Sequence, residues 1–168
     1  MKERKLLTTR NVALIGMLGA LAGGLMLFEM PLPFIAPPFY EMDLSEVPVL
    51  IGTFALGPLA GVLIELVKIL VKLVIKSTST AFVGDFSNFV IGCSFVLPAG
   101  IIYRKMRSRK GALIGMLVGA VTMASIGAVV NALVMLPFFP KFYGMPMDTI
   151  LAAGSAINPA IGRVWTLA

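Results

Sequence analysis

Long apolar runs alternate with short polar, glycine-rich or proline-rich breaks along this chain. Asn11 to Phe28 is almost wholly aliphatic, glycine and alanine, and as a helix it would rise about 27 Å, close to the hydrocarbon thickness of a bilayer. The break that follows, PLPFIAPPFYEMDLSEVP from Pro31 to Pro48, holds five prolines and three aromatics. Proline fixes φ and removes a backbone donor, so the stretch cannot continue a helix. Phe34, Ile35, Phe39, Tyr40, Met42 and Leu44 nevertheless need something apolar to cover. Two readings stay open here: a shaped loop over the mouth of a helical bundle, or a surface loop dipping into lipid headgroups.

The same pattern predicts further helices over about 46–56, 59–75, 85–103, 111–136 and 158–168. Ser45 can cap the second, and Gly57-Pro58 marks the turn into the third. In the third, Glu65, Lys68, Lys72 and Lys76 recur at helical spacing. Glu65 and Lys68 can pair at spacing three, as a structural pair or in contact with a partner, and Lys72 and Lys76 can snorkel to the surface or face inward. Asp85 or Ser87 can open the fourth helix. Pro98 is expected to bend that helix rather than end it, because a membrane span must stay hydrogen-bonded. Asn158-Pro159 can start the sixth, which reaches residue 168 after about ten residues and is expected to be an incomplete span. No internal repeat, heptad pattern or low-complexity tract interrupts this order, and the whole reads as one transmembrane domain over 1–168.

Composition turns these runs into a class. Hydrophobic residues make up 58% of the 168 and charged residues 13%, about half the share that a water-facing surface uses. The expected architecture is an all-α integral membrane protein, a compact six-helix transmembrane bundle. The net charge of +6 comes from Lys2, Arg4, Lys5 and Arg10 and from Arg104, Lys105, Arg107, Arg109 and Lys110. Both clusters abut hydrophobic runs, which points to cytoplasmic loops and cytoplasmic termini rather than to nucleic acid. A first helix followed by further spans reads as retained, not as a cleaved signal peptide. Histidine is absent and Cys93 stands alone, which excludes a disulfide within the chain, a CxxC site and histidine-based catalysis or metal binding.

With this orientation the polar residues gather outside. Glu41, Asp43, Ser45 and Glu46 come from the first outer connection, 77–80 with Asp85 and Asn88 from the second, and Asn131, Asp148 and Asn158 from further along. Together with Phe34, Phe39 and Tyr40 they make a pocket for a flat, largely uncharged organic molecule bearing hydroxyls. Each has a plainer role as well. Asn88 and Asn131 can serve as interhelical hydrogen-bonding groups. Asp43 and Glu46 can cap a helix or face water, and Thr80 can be an ordinary loop residue. Asp43 and Glu46 could also act as acid and base, but binding or capping is simpler in a proline-rich loop, and no nucleophile–base pair or phosphate-cradling loop accompanies them. In the first helix Gly16, Ala20 and Gly24 form a stripe of small residues, fit either for a contact inside the bundle or for docking another membrane protein.

Three segments then carry a resemblance: PFYEMDLSEVPVLIGTFALGPLAGVLIELVK (Pro38 to Lys68), GDFSNFVIGCSFVLPAGIIY (Gly84 to Tyr103) and MDTILAAGSAINPAI (Met147 to Ile161). Over essentially the whole chain the sequence resembles the riboflavin-specific membrane subunit, or S-component, of energy-coupling factor (ECF) transporters. The resemblance implies a non-enzymatic, six-helix vitamin-capture subunit of a prokaryotic cytoplasmic membrane, with no cofactor of its own and riboflavin as its transported ligand. It implies lipid, a transmembrane coupling subunit and two cytoplasmic ATPase subunits as partners. It also implies that the loop 31–44 is a lid, that Tyr40, Asp43, Leu44, Glu46, Thr80, Asn88 and Asn131 contact the ligand, and that Gly16 and Ala20 lie on the surface that docks the coupling subunit. Glycine at 16 departs from the alanine the family favours. The chain also stops before the Asn- and Lys-bearing segment that in the family ends the sixth helix and is thought to touch the flavin ring. Two other readings compete: a structural or assembly subunit without a small-molecule ligand, and an S-component for a different vitamin. An autonomous secondary carrier or a membrane enzyme fits less well, since neither paired repeats nor broken central helices are evident.

Overall fold

The computed structural model describes residues 8–28, 30–31, 41–42, 44–76 and 82–135. Within them lie five α-helices: α1 Thr9–Leu25, α2 Glu46–Leu56, α3 Pro58–Ile75, α4 Val83–Met106 and α5 Arg109–Val130, the last continuing into a π-helical turn at Asn131–Met135. A two-residue antiparallel ladder, β1 Met30–Pro31 with β2 Glu41–Met42, pairs Met30 with Met42 and Pro31 with Glu41. It brings the two ends of the proline-rich connection side by side, directly before α2. The expected sixth helix at 158–168 lies outside the described residues.

Helix ends follow local chemistry. Thr8 caps α1 by accepting from the Asn11 N–H at 3.4 Å, so the helix begins two residues before the apolar run does. Ser108 caps α5 in the same way, accepting from the Gly111 N–H at 3.0 Å. Gly57 sits at φ +110°, a conformation that glycine adopts readily, and Pro58 takes the first position of α3. α4 starts at Val83, entering from Phe82 in the left-handed region at φ +66°, so Asp85 and Ser87 fall inside its first turns. The helix continues past Pro98 without ending, as expected, and has Arg104 and Lys105 in its last turn, where cations suit the C-terminal dipole.

Glycine sets the helix spacing. A Cβ at Gly19 would sit 2.5 Å from the Val67 Cβ, and one at Gly23 would sit 2.7 Å from the Val71 Cγ1, which packs α1 tightly on α3. α5 meets α4 with equal closeness: a Cβ at Gly115 would lie 2.8 Å from the Ala99 carbonyl oxygen and one at Gly119 would lie 2.6 Å from that of Phe95. Ile15, Ala22, Val49, Ala60, Ile64 and Val96 form the apolar core between α1, α2, α3 and α4. Outside it, large aliphatic side chains face outward, among them Leu70, Val74, Leu113, Leu117 and Val121. α4 and the continuous helix Arg109–Val134 are each long and apolar enough to cross a membrane.

The connections define two ends. Thr8, Gly57 and the basic segment around Arg107 share one, the basic end. The ladder and the starts of α2 and α4 share the other, the loop end.

Candidate functional site

At the loop end, charge is buried inside an apolar bundle. The Lys68 side chain is 1% exposed, and its ammonium donates to Glu46 Oε1 at 2.6 Å and lies 2.8 Å from Glu65 Oε2. Glu65 is 0% exposed and is pressed against Gly92, where a Cβ would stand 2.7 Å from its carboxyl carbon. Thus α4 needs glycine at 92 to make room for a carboxylate from α3. One turn further along α3, Lys72 pairs with Asp85 in the first turn of α4; their side chains are 14% and 3% exposed. Lys72 is therefore engaged within the bundle rather than snorkelling outward, and the Glu65–Lys68 pair is internal rather than a contact surface for another chain.

Three carboxylates from α2, α3 and α4 thus converge on two lysines of α3. Not all of their oxygens are used: among the described residues Glu46 Oε2, both Glu65 oxygens and Asp85 Oδ2 are buried with no hydrogen-bond partner, although Glu65 Oε2 is near Lys68. A buried acceptor left open in this way is costly unless something donates to it.

Around this network stand the residues singled out from sequence. Leu44 is exposed immediately before α2. Ser45 occupies the cap position of α2 without making a side-chain cap bond. Glu46 neither caps nor simply faces water; it is held by Lys68. Asn88 is half-buried one turn after Asp85. Gly115 against Ala99, Gly119 against Phe95 and Gly127 near Ile91 show α5 running antiparallel to α4. Continued for one turn, that register carries Asn131, the first residue of the π turn, to the level of the first turns of α4. Tyr40, Asp43 and Thr80 lie outside the described residues, as do Asp148 and Asn158. From sequence, Asp85 stands among the outer polar residues, but Lys68 and Lys72 are not marked as residues of the ligand site; the helical spacing of the two lysines on α3 is the available signal, and it does not show which acids they meet.

A separate apolar groove of about 340 Å³ runs along α3, lined by Val67, Leu70, Val71, Val74 and Ile75. On α1, Gly16 and Gly24 face open space: among the described residues an added Cβ at either meets nothing within 4 Å. Ala20 between them is exposed. This stripe is therefore distinct from the Gly19–Gly23 stripe, which α3 occupies.

An apolar bundle with buried, paired charge and two helices long enough to cross a bilayer has the make-up of an integral membrane protein. The family of ECF transporter substrate-specific components matches residues 10–168, and the chain belongs to that family. It is 36% identical over 145 residues to the riboflavin transporter RibU of Staphylococcus aureus (strain TCH60), covering 85% of this chain and 75% of that one. It is 30% identical over 153 residues to the riboflavin transporter FmnP of Bacillus subtilis (strain 168), covering 90% and 80%. A solved S component of a bacterial ECF transporter superposes with a TM-score of 0.70 at 32% identity, covering 94% of this chain and 92% of the other. The protein is thus a multi-pass plasma-membrane transport subunit and not an enzyme, and its membership implies a complex with coupling and ATPase components.

Proposed function

We propose that this chain captures riboflavin as the substrate-binding subunit of an ATP-driven ECF transporter, in a pocket on the extracellular side beneath the loop 31–44. The observation that carries the reading is the 36% identity to a riboflavin transporter across 85% of the chain. In this reading six helices cross the membrane, both termini are cytoplasmic and the loop end faces outward. The basic residues 104–110 at the opposite end support that orientation.

The ligand contacts are Tyr40, Asp43, Leu44, Glu46, Thr80, Asn88 and Asn131. Leu44 and Tyr40 offer apolar and aromatic surface to the ring system. Glu46 has one oxygen on Lys68 and the other, Oε2, buried and open, which suits a ribityl hydroxyl as donor. Asn88 and Asn131 offer amides that both donate and accept. Gly16 and Ala20 form the surface for the transmembrane coupling subunit, with two cytoplasmic ATPase subunits beyond it. Since the chain carries out no bond chemistry, release inward requires a state with lower affinity, and hydrolysis elsewhere in the complex favours that state.

The test is a fluorescence titration of the detergent-purified chain with riboflavin, FMN and thiamine. Saturable quenching of riboflavin fluorescence at about one flavin per chain is expected. Folded protein that leaves riboflavin unquenched overturns the reading. Binding of thiamine instead favours an S-component for a different vitamin.

A further inference from the structure

Among the described residues, the starts of α1, α2, α4 and α5 are held in two different ways. At the basic end, α1 and α5 are capped by Thr8 and Ser108. At the loop end, neither α2 nor α4 has a side-chain cap bond. Each instead has an acid in its first turn, and each acid is gripped by a lysine of α3: Glu46 by Lys68, and Asp85 by Lys72. The two lysines are four residues apart, so they lie on one face of α3, about 6 Å apart along its axis. α4 also enters through Phe82 at φ +66°, a conformation that a bulky residue adopts only when its surroundings hold it there.

Buried ion pairs are a poor way to gain stability, because desolvating the charges offsets much of their attraction; well-packed apolar residues often serve as well. What such pairs can provide is a fixed geometry. We infer that Lys72 and Asp85 are positioning residues for the bound solute: their ion pair, with Lys68–Glu46 one turn away, fixes the first turns of α2 and α4 to a single rod and so sets the pocket wall that carries Glu46 and Asn88. The inference rests on the riboflavin reading for its ligand. In the described ion pairs three carboxylates share two ammoniums, so loss of either lysine leaves an acid without its partner there.

The test compares full-length wild type with Lys72→Met, Asp85→Leu, the double variant Lys72→Met/Asp85→Leu and the exchanged pair Lys72→Asp/Asp85→Lys. For each, riboflavin Kd, release rate and ligand-free thermal midpoint are measured. The single variants are expected to weaken binding about tenfold, mainly through faster release, and the exchanged pair to recover to within about threefold of wild type. If the single variants do not fold, the apolar double variant removes both buried charges at once and is expected to fold with weakened binding. Folded Lys72 or Asp85 variants with wild-type Kd overturn the inference, since a purely structural pair behaves that way; an exchanged pair that recovers thermal stability without affinity overturns it too, since the charges would then act on the solute directly rather than by positioning. Failure of wild type to bind riboflavin is a different result, and it strikes the functional reading instead.

Discussion

Lys68 shows how a single side chain can be indispensable without being a net source of stability. Its ammonium is 1% exposed and neutralises Glu46 and Glu65 together. Replacing it by methionine would leave the fully buried Glu65 without a counter-charge, at an expected cost of about 3–5 kcal/mol. Removing Glu65 at the same time should be far milder. Lys68→Met/Glu65→Leu is predicted to unfold at a higher temperature than Lys68→Met, and a lower or equal midpoint would show that Glu65 without Lys68 is not the costly uncompensated charge argued here. Part of this was legible in sequence, since four ionisable residues at helical spacing in an apolar run had to meet polar partners or water. Their partners were not, because Glu46 is 22 positions from Lys68 and Asp85 is 13 from Lys72. Contacts across that separation depend on how helices dock, and docking leaves no local mark. Gly92 is the clearest case: in sequence it is one more small residue of an apolar helix, yet it makes the space for the Glu65 carboxylate.

At the scale of elements, helix starts and stops were the readable part and interhelical faces the unreadable part. Gly57-Pro58 signals its own turn through φ and the missing donor. The start of α4 is less legible: Asp85 and Ser87 have the chemistry of caps, but Asp85 is drawn to Lys72, and the Ser87 hydroxyl donates to the Val83 carbonyl at 2.8 Å. Among the glycines of α5, sequence does not tell which ones a neighbour touches. Gly119 meets the Phe95 backbone, whereas a Cβ at Gly127 would find, among the described residues, only the Ile91 Cδ1, at 3.9 Å. Gly119→Ala is therefore predicted to cost about 1–3 kcal/mol, because the backbone it meets cannot rotate away. Gly127→Ala should be neutral or stabilising by up to about 1 kcal/mol through helix propensity. Thermal unfolding of both variants in the same detergent checks the contrast, and equal losses would show that the α4–α5 contact is looser than this geometry.

At the scale of the molecule, α1 faces two ways. Its Gly19–Gly23 face is closed by α3, and the Gly16–Ala20–Gly24 face, about 100° further round, is open among the described residues. Sequence alone left the second stripe undecided between an internal contact and a docking surface, since small residues at spacing four suit both. The contact with α3 is made one residue over, at Gly19 and Gly23, while the Gly16–Ala20–Gly24 stripe stays open among the described residues, as the proposed docking surface requires. The two faces predict opposite failures. Gly19→Leu should damage the folded bundle itself, because Val67 and the Ile64 carbonyl already fill the space. Ala20→Leu should leave riboflavin binding within about twofold of wild type, since it disturbs no described packing, yet reduce ATP-dependent uptake in reconstituted vesicles about tenfold or more by holding the coupling subunit away. Measuring binding and uptake on the same preparation separates the two functions. Normal uptake by Ala20→Leu would move the docking surface elsewhere on the bundle, and loss of binding along with uptake would mean that this stripe supports the fold after all.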